Sequence, residues 1–155
     1  MKEFKTNLVE YNLVKKENPN VKRAKIKSSK DSSAYCKKLY GDDISFIESF
    51  IMITLNNANN TTGWVKISQG GMTGTLVDIK VVAKYAVESL AVGVIFCHNH
   101  PSGTLHPSTA DKNITRRLKE AFKTLDIKVL DHIILPGDVN DYGLEYFSFA
   151  DDGIL

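Results

Sequence analysis

The chain has 155 residues, 43% of them hydrophobic and 25% charged, which fits one globular domain with its own core. A formal net charge of +2 neither demands nor excludes a nucleic-acid partner. The start lacks the apolar core of a secretory signal and no stretch is long enough to span a bilayer, so no membrane association is expected and the expected location is the cytoplasm. Cys36 and Cys97 make neither a CxxC pair nor a disulfide framework, in keeping with a reduced setting.

Residues 1–41 read as an irregular N-terminal extension. A strand over 4–14 is broken by Asn18-Pro19-Asn20. The basic stretch 21–30 (Lys22, Arg23, Lys25, Lys27, Lys30) is either a solvated connector or a nucleic-acid contact. Asp31 or Ser32 is placed to cap a short helix to Tyr40, closed by Gly41. Residues 42–155 read as the main domain. Strands are expected over 45–55 and 63–68, joined by the Asn-rich turn 56–60. Gly70, Gly71 and Gly74 mark a loop, either a mobile element or a plain connection. Asp78 then caps a helix to about Leu90, with Val82, Tyr85, Ala86, Ser89 and Leu90 on one face.

The run 92–97 is wholly apolar, as a central buried strand should be. A polar loop is expected over 98–107. Ser108 opens a helix to about Leu125, whose core stripe is Ile114, Leu118, Ala121, Phe122 and Leu125. Arg116, Arg117, Lys119 and Lys123 lie mostly outside that stripe. A strand over 127–135, a turn at 136–138 and a strand over 142–149 complete the chain. Alternating strands and helices predict an α/β or α+β sandwich around one sheet.

The segment that carries chemistry is Cys97-His98-Asn99-His100-Pro101-Ser102-Gly103, followed by Ser108-Thr109-Ala110-Asp111. On extended backbone, side chains two apart share a face, so His98 and His100 can converge on one ion. Asp111 arrives on the first turn of the next helix. Two neutral imidazoles and a carboxylate suit zinc and leave a fourth position for water, whose pKa the ion lowers to about 7. Ser108-x-x-Asp111 equally fits an ordinary helix cap. Upstream, Phe46, Glu48, Phe50 and Met52 would share one strand face. Glu48 interrupts that apolar face and is the candidate general base, unless it sits at a strand edge and reaches solvent.

At these residues the chain resembles the JAB/JAMM (MPN) metalloprotease domain, and specifically its RadC-like branch. The general pattern is an upstream Glu, His-x-His-Pro, seven residues to a Ser, then two more and an Asp. It stands here as Glu48, His98-Asn99-His100-Pro101, Ser108 and Asp111. The RadC-like additions are His98 to Gly103, read His-Asn-His-Pro-Ser-Gly, and Leu130-Asp131-His132-Ile133-Ile134. Phe147-Ser148-Phe149-Ala150 also matches the family's closing strand, and the resemblance covers residues 26–155.

The resemblance implies a mixed sheet flanked by helices, laid out like cytidine deaminase. It implies zinc on His98, His100 and Asp111, Glu48 as base and Ser108 as donor to the developing oxyanion. The implied reaction is hydrolysis of a peptide or isopeptide amide. Longer RadC-like proteins carry an upstream helix-hairpin-helix segment, and residues 1–41 show none of its Gly-rich hairpins. The family's DNA-repair label therefore does not follow from these motifs.

His132 reads either as a hydrogen-bonded structural histidine or as a neighbour of the metal or substrate, and His106 as solvent-facing. His98-Asn99-His100 spells HNH, but HNH nucleases spread those residues over a ββα unit. The His-x-Glu and Pro-Cys-x-x-Cys of zinc deaminases and the HExxH of other metalloproteases are absent. Two competitors to a metallopeptidase remain. One is an inactive binding module on the same fold. The other is a DNA-repair-associated accessory protein binding DNA or a protein partner, with Lys22–Lys30 and Arg116–Lys123 as its basic surface.

Overall fold

Three short apolar runs, 50–55, 94–97 and 133–135, are fully buried and become the innermost strands of one sheet. The computed structural model describes residues 10–12, 14–70, 76–137 and 145–155. In chain order these contain α1 (Ser29–Lys37), a 3₁₀ turn (Asp42–Ser45), β1 (Ser49–Leu55), β2 (Thr61–Gln69), α2 (Ile79–Glu88), β3 (Gly93–His100), α3 (Thr109–Thr124), β4 (Lys128–Pro136) and β5 (Phe147–Ser148). The sheet order is β2-β1-β3-β4-β5. β3 and β4 are parallel, joined through α3, and every other pairing is antiparallel. This is one mixed α/β domain.

Strand alternation divides the core in two. Ile51, Ile53, Ile95, Cys97, Ile133 and Leu135 meet Tyr35 and Cys36 of α1 on one side. Phe50, Met52, Val94 and Phe96 meet Val82 and Ala86 of α2 and Leu118 and Phe122 of α3 on the other. Phe96 stacks on Phe122 at 5.7 Å between ring centres, which seats α3 over the C-terminal half of β3.

Several boundaries depart from the sequence-based expectations. The cap of α1 is Ser28, whose hydroxyl accepts from the Asp31 N–H, while Asp31 accepts from Lys27 N–H; neither Asp31 nor Ser32 is the cap. α1 ends on Lys38, and Gly41 leads into the 3₁₀ turn instead of closing the helix. β1 starts at Ser49, not at 45, because the Asp43 carbonyl accepts from both Phe46 and Ile47 N–H and holds the chain in a turn. Phe46 is accordingly 72% exposed and shares no strand face with Phe50.

β3 extends through His100, so the expected polar loop begins later. Its parallel pairing with β4 continues to the His100–Pro136 register. Leu90 and Asp126 both take left-handed backbone just after a helix, with the following N–H bonded back to Ala86 and Phe122 carbonyls. That geometry turns Leu90 out of the core, 85% exposed, and leaves Leu125 at 42%. Most of the 4–14 strand, Gly71 and Gly74 of the glycine loop, and residues 142–144 of the last strand lie outside the described residues.

Candidate metal centre and active site

The period of two on β3 turns Phe96, His98 and His100 toward α3. The Nε2 atoms of His98 and His100 stand 2.8 Å apart. Asp111, at the third position of α3, brings Oδ1 to 3.2 Å from His98 Nε2 and Oδ2 to 3.5 Å from His100 Nε2. One ligand atom from each residue lies within 4.8 Å of the others, and this is the cluster of metal-ligand type among the described residues. The His98 ring is buried, while His100 and Asp111 keep a narrow opening to solvent.

The donor chemistry fits a divalent ion. His100 Nδ1 lies 2.7 Å from the Thr104 carbonyl, which can only accept, so the ring donates there and leaves an Nε2 lone pair inside the cluster. That lone pair, a second imidazole nitrogen and a carboxylate face one another, an arrangement suited to a cation between them. Two His nitrogens and one Asp oxygen are a zinc-compatible set with a free position. The titration behaviour says the same with a proton as the cation. Burial works against a charged His100, but hydrogen bonding to Asp111 and Thr104 outweighs it and raises its pKa above the usual 6.5. Burial would raise Asp111, yet the adjoining His100 and His98 rings hold its carboxyl far below the carboxylate range.

Ser108 and Asp111 form a full capping box. The Ser108 hydroxyl accepts from Asp111 N–H, and Asp111 Oδ2 accepts from Ser108 N–H at 2.7 Å. The hydroxyl proton also goes to Oδ2, at 2.7 Å. The helix-cap reading of this pair and the convergence of Asp111 on the histidines therefore hold together. Oδ1 is the freer oxygen.

Glu48 stands one residue before β1, half-buried, and lines a cleft of about 350 Å³ with Phe50, Val77, His98, Asp111 and Arg117. Its placement depends on Asn99, the residue between the two histidines. Asn99 points to the opposite sheet face and is fully buried. Its amide donates to the Ile44 carbonyl at 2.6 Å and the Ile47 carbonyl at 2.9 Å, and its Oδ1 accepts from Ser49 N–H at 2.8 Å. Those three bonds bracket Glu48. The Glu48 carbonyl in turn accepts from Gly70 N–H at 2.9 Å.

His132 is wholly buried on β4, between Phe50, Phe96 and Phe149. Its Nε2 lies 2.8 Å from His98 Nδ1 and its Nδ1 lies 2.6 Å from the Thr115 hydroxyl. Burial and the neighbouring His98 push its pKa well below the usual value, so the ring is neutral. His106 is exposed, as expected. Sequence reasoning missed Asn99 and Thr115. An amide inside an apolar strand and a hydroxyl four residues after Asp111, on the same helix face, were the available signals.

Together these features define an α/β domain whose central strand and neighbouring helix form a cluster able to bind a metal ion beside a carboxylate-bearing cleft. The chain belongs to the family of the RadC-like JAB domain, whose model matches residues 26–154. It is 42% identical to a UPF0758 protein of Flavobacterium johnsoniae over 135 residues, which cover 87% of this chain and 56% of that protein. It is 45% identical to a UPF0758 protein of Trichlorobacter lovleyi over 108 residues, 70% of this chain and 44% of that protein. It is 40% identical to the UPF0758 protein YfjY of Escherichia coli over 108 residues, 70% of this chain and 64% of that one. The chain thus spans about half the length of the curated relatives it matches. Among the described residues, no helix is long and apolar enough to cross a membrane.

Proposed function

We propose that this domain is a zinc-dependent hydrolase that cleaves a peptide or isopeptide amide bond. The observation that carries the reading is the convergence of two imidazole nitrogens and a carboxylate beside the cleft that Glu48, His98 and Asp111 line. His98 and His100 would hold the ion through Nε2 and Asp111 through Oδ1. A bound zinc ion supplies Lewis acidity toward the scissile carbonyl and acidifies water.

The protein's own groups do the rest. The Glu48 carboxylate takes a proton from the attacking water and returns it to the leaving amine. The Ser108 hydroxyl turns from Asp111 Oδ2, which keeps its bond from Ser108 N–H, and donates to the developing oxyanion. Such a donor is commonly worth about 2.7–4 kcal/mol. The amide class rests on the family, and the substrate is a peptide or protein still to be identified. The free, buried Cys36 and Cys97 support a cytoplasmic setting.

The test is elemental analysis of metal-replete protein with a proteome digest. About one zinc per chain is expected, lost in His100→Ala. Glu48→Gln should keep the zinc and stop cleavage. A metal-free wild type, or undiminished cleavage by Glu48→Gln, refutes the reading.

A second reading, a DNA-associated accessory protein, draws on the outer face of α3, where Lys112, Arg116, Lys119 and Lys123 line one groove. It requires DNA binding that weakens steeply with salt.

A further inference from the structure

We infer that Thr115 and His132 are positioning residues that fix the tautomer and orientation of His98, so that its Nε2 always presents a lone pair to the cluster. The inference rests on the metal-binding reading above and names what makes that ligand competent.

The direction of every bond follows from one acceptor. The main-chain carbonyl of Asp111 cannot donate, and the Thr115 hydroxyl lies 2.6 Å from it, so the hydroxyl proton goes there. With its only proton spent, Thr115 Oγ1 can only accept from His132 Nδ1 at 2.6 Å. That nitrogen therefore carries the proton of the neutral ring, and His132 Nε2 is left as an acceptor. His98 Nδ1, 2.8 Å away, must then donate. The remaining nitrogen of His98, Nε2, is unprotonated and faces His100 and Asp111.

The chain of bonds is closed. Asp111 supplies a carboxylate to the cluster, and through its own carbonyl it sets the protonation pattern of a partner ligand. Ligating histidines usually donate their second nitrogen to a carboxylate, a carbonyl or water. Here the acceptor is another imidazole, which could present either tautomer were it not held by Thr115. Burial among three aromatic rings excludes water that might substitute.

Thr115→Val keeps the side-chain shape but gives His132 Nδ1 nothing to donate to. The His132 proton then moves to Nε2, His98 Nδ1 becomes the acceptor, and the His98 proton blocks the ligand atom. Partners of this kind are worth about 10–100-fold in metal affinity. The experiment has two arms on the full chain. The first is two-bond proton–nitrogen correlation of the imidazoles in metal-free wild type near about pH 9, where unperturbed imidazoles are neutral. Nδ1–H is expected on both His98 and His132, and Nε2–H on His98 overturns the inference.

The second arm is zinc competition against a chromophoric chelator. Thr115→Val should bind about 10–100-fold more weakly, with a metal-free melting temperature near wild type, and Thr115→Ser should restore affinity. Wild-type affinity in Thr115→Val, or no rescue by Ser, overturns it. A wild type that takes up no zinc refutes the hydrolase reading instead, and the imidazole spectrum alone then decides the bond chain.

Discussion

Asn99→Asp perturbs the placement of Glu48 without changing the shape of the side chain. Wild-type Asn99 donates twice, to the Ile44 and Ile47 carbonyls, and accepts once, from Ser49 N–H. A carboxylate keeps the accepted bond and sets a second acceptor against two carbonyl oxygens. Each buried partner left unsatisfied costs about 1–3 kcal/mol, so two give about 2–6 kcal/mol. Ile44 and Ile47 are only half-buried, so water can reach their carbonyls, and the expected loss is in the lower half, about 2–4 kcal/mol. Urea unfolding at neutral pH reads the global loss. Faster amide exchange at Gly70, which donates to the Glu48 carbonyl, reads the loosening of the segment that bears Glu48. The folded-state pKa of the new carboxyl is raised above its unfolded value of about 3.9. The penalty is therefore smallest below that value, where the carboxyl is protonated in both states and can donate again, and it grows as pH rises through the folded pKa. A loss within about 0.5 kcal/mol, the range of an ordinary surface change, with unaltered exchange at Gly70 would refute the role given to Asn99.

Gly137→Ala should loosen the turn after β3. An added Cβ would sit 2.7 Å from the Pro101 carbonyl oxygen, while Gly137 N–H bonds the His100 carbonyl. About 1–3 kcal/mol of stability should be lost, with weaker zinc binding in a chelator competition, and full affinity would count against the turn's role in holding His100. Metal-free protein and zinc affinity should respond oppositely to pH. His100, its pKa raised above 6.5, contributes stability fully present below that value and lost as pH rises through the raised one. Asp111, with a depressed pKa, contributes above 3.8 and loses that contribution on acidification. Metal-free melting temperatures should thus fall as pH rises from 6.5 through the raised His100 value while zinc affinity rises, because binding displaces the His100 proton. Parallel trends would show that zinc does not use His100.

The apolar stretches and caps made the main elements readable. Asp78 and Ser108 cap where expected, and the buried β3 sits between β1 and β4. The cluster was readable because strand alternation and the Ser108-to-Asp111 spacing are local facts. What escaped was set by partners distant in sequence. β3 outlasts its apolar run because β4 pairs with it through His100, and β1 starts late because Asp43 nucleates a turn. Leu90 reads as a core position by periodicity, yet a left-handed helix end turns it outward. Asn99 and Thr115 each look like unremarkable polar residues until the strand across the sheet or the ring beneath the helix is in view.

Alternation on β3 divides the work of the site between the two faces of one strand. His98 and His100 face α3 and meet Asp111, while Asn99 between them faces α1 and grips the segment that bears Glu48. A shift of β3 along its axis would therefore carry His98, His100 and the segment that bears Glu48 together. A register slip by one residue would exchange the faces, aiming the amide at Asp111 and the imidazoles into the layer of Ile51, Ile53 and Ile133. The parallel pairing with β4 opposes that slip, since His132 can meet His98 only in the present register, with Phe96 as its partner. The hydrogen-bond chain from Asp111 through Thr115 and His132 thus locks the strand as well as the ring, and both depend on α3 lying over β3 and β4. On this argument the proposed metal ligands, the proposed base Glu48 and the fold's central pairing form one cooperative unit. Substitutions at Asn99 should then perturb global stability and the segment that bears Glu48, whereas Thr115→Val should act on zinc affinity with the metal-free melting temperature near wild type.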